Sequence, residues 1–135
     1  MKDKVFLDTN IFVYLYSEDE PQKQSVALKT IDKNHCVTST QVLNEFCSVC
    51  LRKLGMHSNE VLPSINEIIE NCELCDINID TIQSALLLHN KYGYTYYDCL
   101  VLASAISNEC KYLYSEDMQH NQVIEGKLKI INPFL

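Results

Sequence analysis

The chain has 135 residues, of which 47% are apolar and 21% charged, so we expect one domain, residues 1–135, with a buried core. Lys and Arg total 11 against 18 Asp and Glu, giving a formal charge of −7. This charge argues against a basic nucleic-acid-binding surface, although an enzyme could still reach nucleic acid through bound cations. No stretch approaches the ~20 apolar residues of a membrane span, and the N-terminus lacks a signal-peptide pattern, so we expect a cytoplasmic protein.

The first third of the chain alternates strand and helix signals. Val5–Leu7 is a short apolar run closed by the polar residues 8–10, which predicts a buried strand ending in a turn. Pro21 is typical of a helix start, and His35–Thr38 predicts a second strand. Strands that alternate with helices favour a mainly parallel sheet.

The middle of the chain is predicted to be mostly helical. Ser39 or Thr40 can cap a helix that ends by Gly55. Beyond it, apolar residues keep helical spacing but Pro63 interrupts them. This second segment is therefore either one helix that starts near Pro63 or two short helices.

The last part of the chain continues the alternation. Three further strands are predicted at Leu74–Ile77, Lys111–Tyr114 and Leu128–Ile131. Between them, Asp80 is expected to cap a helix that ends at Gly93, and another helix from Thr95 carries the almost wholly apolar run Cys99–Ile106. The pattern as a whole predicts an α/β fold, a three-layer α/β/α sandwich with a mainly parallel sheet.

Four acidic residues can share one edge of this sheet. They are Asp8, Glu45, Asp98 and Asp117. Ligands of open parallel sheets bind outside the carboxyl ends of the strands, and two carboxylates ~4 Å apart repel by ~4 kcal/mol at an effective dielectric of 20. A hard divalent cation such as Mg²⁺ or Mn²⁺ relieves that repulsion and can activate a water. This arrangement predicts metal-dependent hydrolysis of phosphodiester bonds.

Each acid also has an ordinary structural explanation. Asp98 follows Thr95 by three residues, as in a helix capping box. Asp8 could be a turn residue, Glu45 could lie at the solvated edge of its helix, and Asp117 could be loop surface. Spacing alone therefore leaves the joint site open.

Four motifs together resemble a known family. They are Leu7–Asn10, Asn44–Phe46, Tyr97–Ala103 and Ser115–Asp117. In this order, and with the later segments Tyr114–His120, Val123–Gly126 and Ile131–Phe134, they resemble PIN-domain ribonucleases, and more closely the VapC-type toxins of bacterial toxin–antitoxin pairs. The resemblance covers the whole chain; at Asn121 many of those proteins have Gly instead.

The resemblance implies a PIN-like α/β/α fold and an Mg²⁺- or Mn²⁺-dependent endoribonuclease. Asp8, Glu45, Asp98 and Asp117 match the catalytic, metal-binding acids of the family one by one. Positions matching Asn10 and Ser115 usually orient those acids. The implied partners are an RNA substrate, a cognate antitoxin and a second copy of the chain in a homodimer, with no membrane.

Other interpretations stay open at this level. The same fold could be a catalytically silent module whose acidic pocket captures a basic protein. Two Cys-x-x-Cys pairs, Cys47–Cys50 and Cys72–Cys75, have spacing close to that of a zinc ribbon. Arg52 with Lys53 could contact a phosphate, His120 could serve as a base, and tyrosines between positions 92 and 97 could stack on nucleic-acid bases.

Overall fold

The computed structural model describes residues 2–135. The strands are β1 Lys4–Leu7, β2 His35–Ser39, β3 Glu73–Cys75, β4 Tyr112–Tyr114, β5 Val123–Ile124 and β6 Leu128–Ile131. The helices are α1 Thr9–Leu15, α2 Pro21–Lys33, α3 Thr40–Arg52, α4 Ser58–Asn71, α5 Ile79–Tyr92 and α6 Tyr96–Ser107. Within these residues, no helix combines the length and the apolar character that crossing a bilayer requires.

The strands form one sheet in the order β3-β2-β1-β4-β6-β5. All neighbouring strands run parallel except β5, which pairs antiparallel with β6 at one edge. Val5, Phe6 and Leu7 of β1 are all fully buried. Because successive strand residues face opposite sides of a sheet, helices must cover both of its faces. The predicted α/β fold with a mainly parallel sheet is confirmed.

Two elements escaped prediction. The polar residues after β1 do not form a simple turn, because Asp8 caps the short helix α1 and its side chain accepts a hydrogen bond from the Thr9 N–H. The edge strand β5 has only two residues, too few for a recognisable pattern. Both elements add backbone close to the predicted strands without changing the order of those strands.

Two predicted helix boundaries were wrong. Pro63 lies inside α4, which begins at Ser58, where the Glu60 carboxylate accepts a hydrogen bond from the His57 N–H. This stabilised start outweighs the one backbone hydrogen bond that Pro63 cannot donate. Helix α5 is capped by Asn78 rather than Asp80, since Asn78 accepts a hydrogen bond from the Thr81 N–H.

The sheet order places a topological switch point between β1 and β4. From β1 the chain first builds outward through β2 and β3, and later returns to place β4 on the other side of β1. Leu7 pairs with Tyr114 at the end of both strands, so Asp8 and Ser115 leave the sheet side by side. Such a crevice is where open α/β sheets bind their ligands.

Candidate active site at the ends of β1 and β4

Asp8 is the most buried acid of the site, with a relative exposure of 7%. Its position is fixed because it both follows β1 and caps α1. One carboxylate oxygen accepts a hydrogen bond of 2.7 Å from the Thr9 N–H, and the other accepts one of 2.8 Å from the Ser115 hydroxyl. Both oxygens are thus oriented by the fold.

Glu45 and Asp98 come from two helices and are each half-buried. Glu45 projects from α3, where the Thr9 hydroxyl donates a 2.8 Å hydrogen bond to its carboxylate. Asp98 lies in the first turn of α6, and its N–H donates to the capping hydroxyl of Thr95. The cap explains the helix start, and Asp98 also lines the cavity described below.

Asp117 is exposed on the loop that follows β4. The Asn10 side-chain amide donates a 3.1 Å hydrogen bond to its carboxylate. The fully buried Ser115 hydroxyl accepts from the Asp117 N–H at 3.4 Å while it donates to Asp8. Ser115 therefore links two acids that are 109 positions apart in sequence.

These side chains surround one open cavity of about 250 Å³. Its lining residues are Asp8, Thr9, Asn10, Glu45, Ser48, Val49, Arg52, Asp98 and Asp117. All four acids identified from the sequence thus line one cavity, together with Asn10. Ser115 is hydrogen-bonded to both Asp8 and Asp117.

The electrostatics of the cavity disfavour four ionised acids. The pKa of Asp8 is raised from 3.8 to about 6, mainly by burial and in smaller part by the negative charges of Asp98 and Glu45. The hydrogen bonds from Thr9 and Ser115 act in the opposite direction and lower it. Burial also raises the pKa of Asp98, with further increases from Asp117 and Glu45. Repulsion between neighbouring acids thus adds to the effect of burial at both Asp8 and Asp98. A bound cation would relieve it.

The donor set suits a hard divalent cation. Carboxylate oxygens are the ligands that Mg²⁺ and Mn²⁺ prefer, and Mg²⁺ is usually bound by one or two carboxylates while it keeps several waters. Within residues 2–135, no three Asp, Glu, His or Cys side chains are gathered tightly enough to ligate one ion directly. The open cavity leaves room for waters between an ion and the acids that do not touch it.

The zinc interpretation gains no support from the cysteines. All seven are free thiols. Cys50 and Cys72 are buried among core residues, and the absence of a three-ligand cluster in residues 2–135 applies to cysteine as well. Burial raises the pKa of Cys50 to about 11, which disfavours the thiolate that a metal requires.

Other candidates from the sequence have structural roles. His120 accepts a hydrogen bond from the Asn132 N–H through its Nδ1 atom, which fixes the C-terminal segment. The hydroxyl of Tyr92 donates to Glu125, and that of Tyr94 accepts from the Gln119 N–H. These bonds tie the end of α5 and the turn after it to the loops on either side of β5, so the two tyrosines are held as part of the fold.

Thr9 was missed as a functional candidate. Its hydroxyl orients Glu45 across 36 residues of sequence. The only sequence signal was its place directly after Asp8, and that signal does not reveal the contact with α3. Ser48 and Val49 also line the cavity, one turn of α3 beyond Glu45.

The model of the PIN domain family matches residues 5–125 of the chain. The chain belongs to the PIN-domain family. A search of curated proteins finds no match, whereas solved structures with the same fold are found.

Three solved PIN-like structures illustrate the shared fold. A toxin–antitoxin complex from Klebsiella pneumoniae superposes with a TM-score of 0.73 at 16% identity, over 96% of this chain and 97% of that one. VapC20 of Mycobacterium tuberculosis, a toxin that cleaves the sarcin-ricin loop, gives 0.68 at 18% identity over 84% and 89%. VapBC2 of Rickettsia felis, bound to a promoter DNA fragment, gives 0.63 at 18% identity over 96% and 99%. At these identities the likeness establishes the fold of this PIN domain.

Proposed function

We propose that this PIN domain is an Mg²⁺- or Mn²⁺-dependent endoribonuclease and the toxin of a toxin–antitoxin pair. The observation that carries the proposal is the meeting of Asp8, Glu45, Asp98 and Asp117 around one open cavity at the switch point of the sheet. Membership of the PIN family and the neighbouring toxin structures support it.

The proposed roles follow from burial and hydrogen bonding. Asp8, Glu45 and Asp98 would hold the metal, directly or through its bound waters, and Asp117 would complete the site or orient the attacking water. A bound Mg²⁺ or Mn²⁺ supplies an activated water and neutralises charge on the scissile phosphate.

The supporting residues keep the acids in place before the ion and the RNA arrive. Ser115 and the Thr9 N–H direct the two oxygens of Asp8. The Thr9 hydroxyl holds Glu45, and Asn10 holds Asp117. Because three of the four acids have donors of their own, little rearrangement is needed on binding, and such partners of metal ligands typically affect affinity or activity 10–100-fold.

An antitoxin and a second copy of this chain are the proposed protein partners. Neighbouring structures are toxin–antitoxin complexes, and one of them holds promoter DNA. Expression with the product of an adjacent short reading frame tests this part of the proposal. We expect a stable complex in which RNA cleavage is suppressed; full cleavage within a complex would count against the antitoxin role.

The experiment for the activity is cleavage of an RNA panel by the purified protein with Mn²⁺. We expect cleavage that excess chelator abolishes and that Asp98→Asn loses. Asp76→Asn is the matched control, because Asp76 follows β3 as Asp8 follows β1, is exposed and lies outside the cavity. The control should cleave like the wild type. Partner binding with no cleavage of any RNA would favour the silent module instead.

A further inference from the structure

Arg52 is the one charged residue of the cavity wall that the proposed chemistry does not use. It is the only Arg in the chain and the last residue of α3. It lines the same cavity as the four acids, whereas its neighbour Lys53 does not. The structure thus separates two basic residues that the sequence could not distinguish.

The cavity extends along α3 from the acids toward Arg52. Glu45 and Arg52 are seven residues apart, about two helical turns and ~10 Å along the axis, on nearly the same face. Ser48 and Val49 line the wall between them. An RNA strand that reaches the acids by lying along this wall therefore also passes Arg52, on one side of the bond that is cleaved.

The charge of Arg52 is available for a ligand. Within residues 2–135, its guanidinium makes no ion pair and no hydrogen bond, and the residue is exposed. A favourable interaction with the C-terminal end of α3 would apply equally to Lys53, so it does not explain why an Arg lines the cavity. A planar guanidinium matches a phosphate in a bidentate manner.

We propose that Arg52 binds an RNA phosphate adjacent to the one that is cleaved. This inference rests on the proposed endoribonuclease function and assigns one further residue to it. The negative charge of the four acids repels RNA. The positive charge of Arg52, at the other end of the same wall, offsets part of that repulsion. Arg52 acts on substrate binding, away from the reacting atoms.

The first experiment compares Arg52→Gln with Lys53→Gln, which remove the same charge from adjacent positions at the C-terminal end of α3. We expect Arg52→Gln to raise KM for RNA about tenfold and to leave kcat within about threefold, because a remote phosphate contact is equally strong in the ground state and the transition state. Lys53→Gln should leave both constants near those of the wild type. Circular dichroism and Tm verify that both variants are folded.

The second experiment measures binding without cleavage. The probe is a fluorescent 12-nucleotide 2′-O-methyl RNA, titrated by anisotropy in Mn²⁺ over a range of salt concentrations. Loss of one phosphate contact should reduce the slope of log Kd against log salt by about 0.7–1 in Arg52→Gln. Arg52→Lys should keep the slope, and Lys53→Gln should match the wild type.

Two results would overturn the role of Arg52. One is an Arg52→Gln protein that equals Lys53→Gln in both KM and salt slope. The other is a Mn²⁺ affinity, measured by calorimetry without RNA, that changes tenfold while KM stays constant, since Arg52 would then act on the acids. A wild-type protein that binds the probe but cleaves no RNA contradicts the proposed nuclease, while the salt slope still decides on Arg52.

Discussion

Glu116 and Asp117 are neighbours in the chain, yet their side chains enter two different regions. Glu116 turns away from the cavity into a group of side chains, here the Lys23 cluster, that consists of Tyr14, Lys23, Glu116 and Phe134. Lys23 donates a 2.7 Å hydrogen bond to Glu116, and the Tyr14 hydroxyl donates one of 2.6 Å. Asp117 turns toward three other acids and accepts only from the Asn10 amide.

The two regions treat a carboxylate in opposite ways. Burial opposes ionisation of Glu116, but its hydrogen bonds to Lys23 and Tyr14 outweigh burial and lower its pKa. In the cavity, burial and the other acids raise the pKa of Asp8 to about 6. In the Lys23 cluster a lysine of the protein neutralises the carboxylate, whereas within residues 2–135 no Lys or Arg forms an ion pair with the acids of the cavity. The contrast indicates that the first region fixes the loop, and it is consistent with the proposal that the second binds a divalent ion.

The largest expected effect is the loss of activity in Asp8→Asn. Removing this proposed metal ligand should lower the rate of RNA cleavage more than about 100-fold at saturating Mn²⁺. The fold should persist, because the Asn oxygen can still accept from the Thr9 N–H and cap α1. Initial rates and far-ultraviolet circular dichroism measure the two properties. Full activity in this variant would contradict the proposal that the acid cavity, unlike the Lys23 cluster, carries the chemistry.

The pH dependence of stability should also separate the regions. The folded protein holds the Asp8 proton more tightly than the unfolded chain, so the free energy of unfolding without metal should fall as pH rises from about 4 to 6. The Asp8 contribution is at most about 3 kcal/mol. Denaturant unfolding of the wild type and Asp8→Asn in chelator isolates it, and saturating Mn²⁺ should reduce the fall. Parallel curves for the two proteins in chelator would contradict the raised pKa.

A smaller effect is expected from the supporting hydroxyls. Thr9→Val and Ser115→Ala each remove a hydrogen bond to an acid and should weaken Mn²⁺ binding about 10–100-fold by calorimetry. Thr38→Val is the control, because its hydroxyl donates to the Leu7 carbonyl beside the site but contacts no acid. Wild-type Mn²⁺ affinity in Thr9→Val would show that Glu45 needs no such support.

The smallest effect is expected in the Lys23 cluster. Glu116→Gln removes the ion pair with Lys23 and should lower Tm by a few degrees, with RNA cleavage within about twofold of the wild type. Because the pair is partly exposed, the difference in Tm should shrink in about 1 M salt. A large loss of activity without a loss of stability would mean that Glu116 belongs to the site.

The four acids could be predicted because each has a simple relation to an element. Asp8 directly follows β1, and Asp117 follows β4 closely. Glu45 lies in the second turn of α3, which follows β2, and Asp98 lies in the first turn of a helix that Thr95 begins. Apolar runs and caps fix these elements locally. The carboxyl ends of parallel strands then lie at one edge of the sheet.

The remaining parts depend on contacts that sequence patterns do not encode. The bond from Thr9 to Glu45 requires α1, a seven-residue helix whose start was mistaken for a turn, to lie beside α3. The separation of Arg52 from Lys53 depends on where α3 ends relative to the cavity. Likewise, α4 begins at Ser58, five residues before Pro63, so the proline does not mark the start of the helix.

Asp8 has two roles, and this limits which substitutions could remove the activity from a descendant of this protein without disturbing the fold. The same carboxylate that faces the cavity also secures the beginning of α1. An Ala at this position would supply neither a carboxylate to the cavity nor a cap to α1, whereas Asn, Ser or Thr would still cap the helix. A lineage that silenced the enzyme while retaining the scaffold should therefore carry one of those three residues at position 8.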